Sequence, residues 1–234
     1  MTTHVERPPA MQFVGGFIVT ALMFPLIILG AGGNWRWVEG WLFALWFDVM
    51  VLANMTYLYF KDPALLAERR KRPGSDNQKG WDAVMLSGIY VVAMAWLVIV
   101  PLDAARFHWS PAFPIWLKTV GGLMLLPALY LIQRATMENT YLSTLVRIQD
   151  DRGHQVVSTG VYGFVRHPLY LGCLLMMLGA PLLVGSVAGL LISGLATVGL
   201  AARIQGEEQM LQTELKGYAE YERKVRYRLI PYVW

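Results

Sequence analysis

Charged residues are scarce in this sequence of 234 residues: 15% of the chain is Asp, Glu, Lys or Arg, whereas 56% is hydrophobic. A soluble chain carries roughly a quarter charged residues, so a water-facing globule would lack the polar side chains that cover its surface. The composition therefore excludes a soluble nucleotide-binding fold and indicates a membrane protein. The net charge of +4 does not predict a nucleic-acid partner, because membrane proteins concentrate Lys and Arg on their cytoplasmic side.

Cysteine is almost absent, since Cys173 is the only one. A single cysteine excludes a disulfide framework. Its place inside an apolar run favours an inert buried thiol over a nucleophile. We also expect no metal site.

Four long apolar runs follow one another along the chain. Each has about 20 residues, enough at about 1.5 Å per residue to cross a hydrocarbon core of about 30 Å. They cover residues 13–33, 41–60, 83–102 and 113–133. No small-residue cleavage site follows the first run, which predicts a retained helix and not a removed signal peptide. Asp48 interrupts the second run and should face the bundle, because a carboxylate that faces lipid is costly.

A fifth apolar run, residues 169–202, is too long for one crossing. As a straight helix it would measure about 51 Å, roughly 20 Å more than the bilayer needs. Pro181 and Gly185 near its middle supply a helix breaker and a turn, which predicts a tight helical hairpin. Small residues would let its legs approach each other or pack on other spans. They are Gly185, Ala188, Gly189, Gly194 and Gly199.

The distribution of basic residues supports this hairpin. With six spans, 17 of the 20 basic residues lie on one side, and only Arg36, Arg106 and Lys118 lie on the other. A single crossing in place of the hairpin would move the C-terminal positive charges and nearly remove this contrast. The positive-inside rule therefore favours cytoplasmic N and C termini. We predict an all-α, multi-pass integral membrane protein with about five to six transmembrane helices.

The hairpin returns the chain to its starting face and brings two polar segments together there. One contains Arg166, His167 and Tyr170, and the other contains Glu207 and Glu208. Taken singly, Arg166 and His167 could be interfacial anchors, and Glu207 and Glu208 could lie on a solvated helix face. Together they suit a zwitterionic or cationic ligand such as adenosylmethionine. Beyond them, apolar residues at three- and four-residue spacings predict an amphipathic helix on the cytoplasmic side.

Several of these residues form a pattern that resembles the isoprenylcysteine carboxyl methyltransferase family and its phospholipid methyltransferase relatives. The pattern consists of Gly160-Val161-Tyr162, the run from Arg166 to Gly172, Glu207-Glu208, and an ending with Tyr218, Tyr221, Val225, Arg228 and Pro231. It covers about the last hundred residues, from Asn139 onward, while the first 130 match only in being apolar spans. We therefore divide the chain into four spans, residues 1–134, and a methyltransferase region, residues 135–234.

The resemblance implies an integral membrane methyltransferase that binds S-adenosyl-L-methionine without a Rossmann domain. A lipophilic acceptor, a small molecule or a prenylated substrate, would enter laterally from the bilayer. The residues that match the family's cofactor pocket are Asn139, Tyr162, Arg166, His167, Tyr170, Gly172, Glu207 and Glu208. The family usually has proline after Gly160, where this chain has Val161, which predicts a less rigid loop.

The sequence does not decide which group of the acceptor is the nucleophile. A carboxylate acceptor is ionised at neutral pH and needs an arginine to position it, so Arg203 and Arg166 are the predicted catalytic residues. An amine or thiol acceptor, as in a phospholipid or small-thiol methyltransferase, would use a base such as His167 or His154.

Two other classes compete with this interpretation. A membrane reductase of the sterol type looks similar around residues 166–172 but uses NADPH, which calls for more phosphate-binding basic residues than the loops offer. A transporter or scaffold would leave the polar constellation unexplained and lacks an internal repeat. Separately, the basic residues 69–72 predict a juxtamembrane patch for anionic membrane lipid.

Overall fold

The computed structural model describes residues 7–234, and these residues are helical with connecting loops and contain no β-strand. The helices are α1 (Ala10–Gly32), α2 (Val38–Lys61), α3 (Pro63–Arg69), α4 (Gly80–Pro101), α5 (Ile115–Glu138), α6 (Pro168–Val184), α7 (Val187–Glu214) and α8 (Tyr218–Lys224). A π-helical turn, Leu102–Phe107, prolongs α4, and single 3-10 turns cover Asp150–Arg152 and Gly160–Gly163. The prediction of an all-α protein is confirmed. The first six residues of the N-terminal arm lie outside the described residues.

Within residues 7–234, five helices are long and apolar enough to cross a membrane: α1, α2, α4 with its π-helical turn, α5 and α7. The four predicted N-terminal spans agree with α1, α2, α4 and α5 to within a few residues, because long apolar runs mark their own limits. A sixth apolar helix, α6, has 17 residues. The chain is thus a multi-pass integral membrane protein, as predicted.

The predicted hairpin is α6 followed by α7, and its turn is where the sequence placed it. Gly185 ends α6 with a φ of +83°, a left-handed conformation that glycine adopts without strain. Ser186 then caps α7, because its Oγ accepts a hydrogen bond from the Gly189 N–H at 2.9 Å. The two helices therefore meet at a defined turn and not at a gradual bend.

A buried carboxylate that the sequence did not reveal fixes this turn to the end of α4. Asp103 is fully buried and its Oδ2 accepts hydrogen bonds from Ser186 Oγ at 2.6 Å and the Ala188 N–H at 3.1 Å. The same carboxylate accepts two more from Ser110, through its N–H at 2.8 Å and its Oγ at 2.7 Å. Asp103 thus joins α4, the loop before α5 and the hairpin turn.

The closest helix packing in the C-terminal half joins α5 to α6, and not the two legs of the hairpin to each other. A Cβ on Gly172 would lie 2.7 Å from Ile132 Cγ1, and one on Gly179 would lie 2.9 Å from the Gly121 carbonyl oxygen. Of the small residues predicted between the legs, Gly189 packs there, since its Cβ would lie 2.9 Å from Pro181 Cβ on α6, whereas Gly194 and Gly199 face open space. The legs therefore touch near their turn, where Ser193 Oγ on α7 also donates to the Met177 carbonyl on α6, while α5 packs against Gly172 and Gly179 of α6.

The helix α7 continues three turns past Ala202, where its apolar run ends. At about 1.5 Å per residue its 28 residues measure about 42 Å. The chain breaks at Gly217, whose φ is +89°, and α8 follows. This break divides the five positions predicted to lie on one amphipathic helix. They pack with Val146 and Ile148 of the loop after α5, and they are Leu211, Leu215, Tyr218, Tyr221 and Val225.

Two polar side chains within the spans lie as their chemistry requires. Asp48 is 8% exposed, which confirms that it faces the bundle. Lys118 donates to Glu39 Oε1 at 2.6 Å, an ion pair between α5 and α2.

Candidate functional site

A cavity of about 730 Å³ lies among α4, α6, α7 and the loop between α5 and α6. Its volume is in the range of small-molecule binding sites, about 300–1,000 Å³. Its polar end is lined by Asn139, Tyr162, Arg166, His167, Tyr170, Arg203 and Glu207. Its apolar end is lined by residues that include Met85, Ile89, Ala93, Met176, Leu195 and Val198. Seven of the predicted site residues therefore share one cavity.

A carboxylate and two stacked rings form the centre of the polar end. Tyr170 donates a hydrogen bond to Glu207 Oε2 at 2.7 Å and accepts one from Arg203 Nη1 at 2.9 Å. The His167 ring stacks on the Tyr170 ring with centroids 5.5 Å apart and planes at 13°. The partly exposed Glu207 carboxylate is therefore held beside an aromatic face.

The second carboxylate of the predicted acidic pair lies outside the cavity lining. Glu208 is 1% exposed and accepts from Arg166 Nε at 2.6 Å and Nη2 at 3.1 Å, from His167 Nε2 at 3.1 Å and from Arg228 Nε at 2.5 Å. Adjacent residues on an α-helix point about 100° apart, and here Glu207 faces the cavity while Glu208 faces Arg166 and Arg228. Glu208 thus lies behind the lining and pairs with the cationic side chains of the polar end, and the expectation that both carboxylates hold the cofactor stays a prediction.

The segment after α8 supports the same residues from the backbone. The N–H groups of Arg166 and His167 donate to the carbonyls of Tyr227 and Arg228, each at 2.9 Å. The Tyr221 hydroxyl donates to the Tyr162 carbonyl at 2.7 Å. The polar end is therefore built from elements far apart in the sequence.

Arg203 is held by a carboxylate on another helix. Its Nε donates to Asp82 Oδ1 at 2.8 Å and its Nη2 to the Thr144 carbonyl at 2.6 Å. Asp82 is fully buried in the first turn of α4 and also accepts from the Val146 N–H at 2.8 Å. Asp82 is not recognisable as a site residue from the sequence, because it directly precedes the third apolar run. Its position was the available signal, because a carboxylate in the first turn of a helix is stabilised by the helix dipole.

The two predicted catalytic arginines both line the cavity, but protein acceptors engage them. Besides Glu208, Arg166 donates Nη1 to the carbonyls of Val225 and Arg226, at 2.8 and 3.0 Å. Their role as carboxylate anchors stays a prediction.

The remaining predicted site residues divide between the cavity and the packing around it. Asn139 and Tyr162 line the cavity, and burial raises the pKa of the Tyr162 phenol, so it is protonated at neutral pH. Gly172 is absent from the lining and lies against Ile132 of α5. Gly172 thus makes a helix contact, and its expected place in the cofactor pocket stays a prediction.

Val161, where the family usually has proline, gains a contact from the substitution. Its N–H donates to Glu138 Oε2 at 2.7 Å, a bond that proline could not make because it has no N–H. This hydrogen bond ties the loop to the end of α5, so the expected loss of rigidity is corrected.

An ion pair fixes the loop between α5 and α6 to α3. Arg147 Nε and Nη2 donate to the two oxygens of Glu68, each at 2.8 Å. Burial acts to raise the pKa of Glu68, but hydrogen bonds from Arg147, Lys71 and Ser143 outweigh it and lower that pKa to about 2. The lipid patch predicted at residues 69–72 is smaller than expected. Lys71 pairs with Glu68 and Asp76, and Arg69 lines the cavity. Arg70 and Arg72 are its exposed members.

We expect the protein to lose stability as the pH falls from about 6.5 towards 4. Burial, with Arg147 and Arg152 nearby, lowers the pKa of the His154 imidazole from 6.5 to about 4. In that window the unfolded chain binds a proton at His154 that the folded chain does not, so acid favours unfolding. Thermal unfolding in detergent at pH 7.5 and 5.0 measures the effect. His154→Gln should reduce the difference between the two midpoints, and an unchanged difference would contradict this account.

Comparisons with known proteins agree with the resemblance that the sequence suggested. Residues 122–213 match the model of the isoprenylcysteine carboxyl methyltransferase (ICMT) family. The chain is 34% identical over 85 residues to a protein-S-isoprenylcysteine O-methyltransferase of Schizosaccharomyces pombe, and 36% identical over 86 residues to a Delta(14)-sterol reductase of Mus musculus. These segments are 36% and 35% of this chain, but only 36% of the yeast protein and 20% of the mouse protein.

A solved structure shares the fold over nearly the whole chain. It is that of the eukaryotic intramembrane Ras methyltransferase ICMT, without a monobody. The TM-score is 0.52 at 18% sequence identity, with 95% of this chain and 84% of that chain covered. The likeness extends the shared architecture to α1, α2 and α4, which the family model does not match.

Proposed function

We propose, from the family match of residues 122–213, that this chain is a membrane methyltransferase that takes S-adenosyl-L-methionine and a lipophilic acceptor into one cavity. The observation that carries the proposal is the cavity of about 730 Å³, which joins a charged, aromatic end to an apolar end within the spans. Such a cavity can hold a charged donor and an apolar acceptor side by side. Residues 135–234 supply the donor site, and α4 adds much of the acceptor site.

The polar end fits the groups of the methyl donor. Glu207 offers a partly exposed carboxylate for an amine or for ribose hydroxyls, and Asn139 adds an amide. The faces of Tyr170 and His167 suit a base or a sulfonium. When bound, the donor supplies an electrophilic methyl group on a sulfonium leaving group. We place this end on the cytoplasmic side, because 17 of the 20 basic residues fall on that face in the six-span topology.

The apolar end opens to the lipid-facing surface. Among its lining residues, Tyr90 on α4 and Leu195 and Val198 on α7 are 45%, 66% and 68% exposed. Side chains exposed on transmembrane helices face lipid. An acceptor with a long apolar group can therefore enter between α4 and α7 without crossing water.

The chain's own residues have little chemistry to perform. The protein aligns the nucleophile with the methyl group and keeps water out. For a carboxylate acceptor, which the isoprenylcysteine resemblance favours, no general base is needed, because a carboxylate is ionised at neutral pH. An amine or thiol acceptor would need a base, and the lowered pKa of His154, about 4, makes its neutral imidazole a weak one.

Binding of adenosylhomocysteine tests the donor site. We expect calorimetry on detergent-solubilised protein to give a dissociation constant in the micromolar range. Glu207→Gln should weaken binding at least about tenfold, or about 1.4 kcal/mol, because it removes the cavity's partly exposed carboxylate. Glu220→Gln is the matched control, since Glu220 is exposed and pairs only with Lys224. Stabilisation by NADPH without a response to adenosylhomocysteine would refute the proposal in favour of a reductase.

Two glycines on α7 allow a test of the acceptor site. Gly199 lines the cavity and Gly194 does not, and a Cβ on either would meet open space. Gly199→Leu should raise the KM for a lipophilic acceptor several-fold by filling the apolar end, and should leave adenosylhomocysteine affinity unchanged. Gly194→Leu should change neither. Equal effects of the two substitutions in a radiolabelled methyl-transfer assay would show that the acceptor lies elsewhere.

A further inference from the structure

Arg69, the last residue of α3, has its side chain in the lining of the cavity. Its Nη1 is buried and has no hydrogen-bond acceptor among residues 7–234. Buried charged groups in folded proteins are almost always paired, because an unpaired one is costly. An arginine that stays unpaired inside a binding cavity therefore calls for an anionic ligand.

Among residues 7–234, no carboxylate forms a salt bridge with Arg69. Burial lowers the pKa of its guanidinium, and the side chains that oppose this effect are Cys173, Tyr162, Tyr90 and Tyr170. Arginine remains protonated even so. Tyr170 belongs to the polar end, and Cys173 lies almost one helical turn further along α6. The Arg69 guanidinium therefore lies where the two ends of the cavity meet.

The other arginines of the cavity are already engaged. Arg166 donates to Glu208 and to two carbonyls, and Arg203 donates to Asp82, Tyr170 and the Thr144 carbonyl. Arg147 is paired with Glu68. To bind a ligand carboxylate, each would first have to give up a protein partner.

The fold also holds Arg69 in place before any ligand arrives. Asp62 caps α3 by accepting from the Leu65 N–H at 2.9 Å, and Leu65 and Leu66 are buried. Glu68, the preceding residue, is clamped by Arg147. Because the backbone of α3 is anchored in this way, an anion that binds Arg69 has to order its side chain but not the helix that carries it.

We propose that Arg69 binds the carboxylate of the lipophilic acceptor and so presents it at the junction of the two ends. Only the methylation of the bound carboxylate rests on the proposed function; the binding of the carboxylate by Arg69 does not. A guanidinium can hold one carboxylate oxygen while the other stays exposed for methylation, and it discriminates against neutral lipids of the same shape. Arg69 would thus determine acceptor specificity.

The test uses the full-length protein in detergent with N-acetyl-S-farnesylcysteine, its methyl ester and adenosylhomocysteine as probes. In the wild-type protein the free acid should bind at least about tenfold more tightly than the ester, a difference of about 1.4 kcal/mol. Arg69→Gln should abolish that preference and leave the affinities for the ester and for adenosylhomocysteine within about twofold. Arg69→Lys should restore part of it. Arg70→Gln removes an exposed neighbouring arginine and should change nothing.

A second measurement separates a ligand-binding role from a structural one. Because Arg69 is unpaired, Arg69→Gln should melt at or above the wild-type temperature without ligand, whereas loss of a structural arginine would lower it. A lower melting temperature, or a wild-type protein that does not prefer the acid to its ester, overturns the inference. So does a loss of adenosylhomocysteine affinity in Arg69→Gln, which would assign Arg69 to the donor's own carboxylate. If adenosylhomocysteine does not bind at all but the acid binds through Arg69, the inference stands and the proposed function fails.

Discussion

Replacing Glu208 with alanine is expected to destabilise the protein by about 3–5 kcal/mol, the usual result of leaving buried charge uncompensated. Its carboxylate, 1% exposed, accepts hydrogen bonds from Arg166, His167 and Arg228. Without it, the Arg166 guanidinium would keep only carbonyl partners and a partly exposed contact with Glu222. Unfolding midpoints in detergent, with a chemical denaturant, measure the loss.

Glu220→Ala is the control for this experiment. It removes a carboxylate from the same C-terminal region, but Glu220 is exposed and forms a surface pair with Lys224. Exposed pairs contribute about 0–1 kcal/mol. Similar midpoints for the two variants would refute the structural role of Glu208. Adenosylhomocysteine affinity should also fall in Glu208→Ala, because Arg166 and His167 lose the group that orients them.

Asp103→Ala should also destabilise the protein by at least about 3 kcal/mol, because hydrogen bonds to charged groups contribute about 1.5–3 kcal/mol each. The substitution leaves four donors without their acceptor: the N–H and hydroxyl of Ser110, the hydroxyl of Ser186 and the N–H of Ala188. The measurement is the same as for Glu208. Asp103→Asn, which keeps one acceptor oxygen, should lose less.

The ligand response distinguishes these two buried carboxylates. Asp103 anchors the hairpin turn, at the opposite end of α7 from Glu207. Asp103→Ala should therefore keep adenosylhomocysteine affinity in whatever protein remains folded. A loss of affinity equal to that of Glu208→Ala would show that the turn and the polar end are energetically coupled.

Much of the architecture could be predicted because the bilayer imposes a length on each span. Apolar runs of about 20 residues gave α1, α2, α4 and α5, and the excess length of the fifth run gave the hairpin with its turn at Gly185. The same topology placed Arg166 and His167 beside Glu207, since both ends of a hairpin return to one face. These features follow from counting residues and charges.

The direction of side chains around the cavity, in contrast, could not be read from the sequence. Glu207 and Glu208 look alike as a pair, yet only the first lines the cavity. Gly172 lies within the motif but faces α5. Arg69 belongs to a basic cluster that is typical of a membrane surface, and only α3, a helix of seven residues without a periodic signal, turns it inward. Each outcome depends on which neighbouring helix covers which face, and that is a property of the assembled bundle.

The hydrogen bonds that close the polar end also set the order in which it can assemble during synthesis. Arg166 donates to the carbonyl of Arg226, which lies 60 residues later. At 5–20 residues per second, translation of that interval takes about 3–12 s. Until then the Arg166 guanidinium and its neighbours must stay hydrated at the membrane surface, because their final acceptors do not yet exist. We expect the nascent chain to insert its spans first and to acquire a closed ligand site only after the ribosome has released the residues that follow α8.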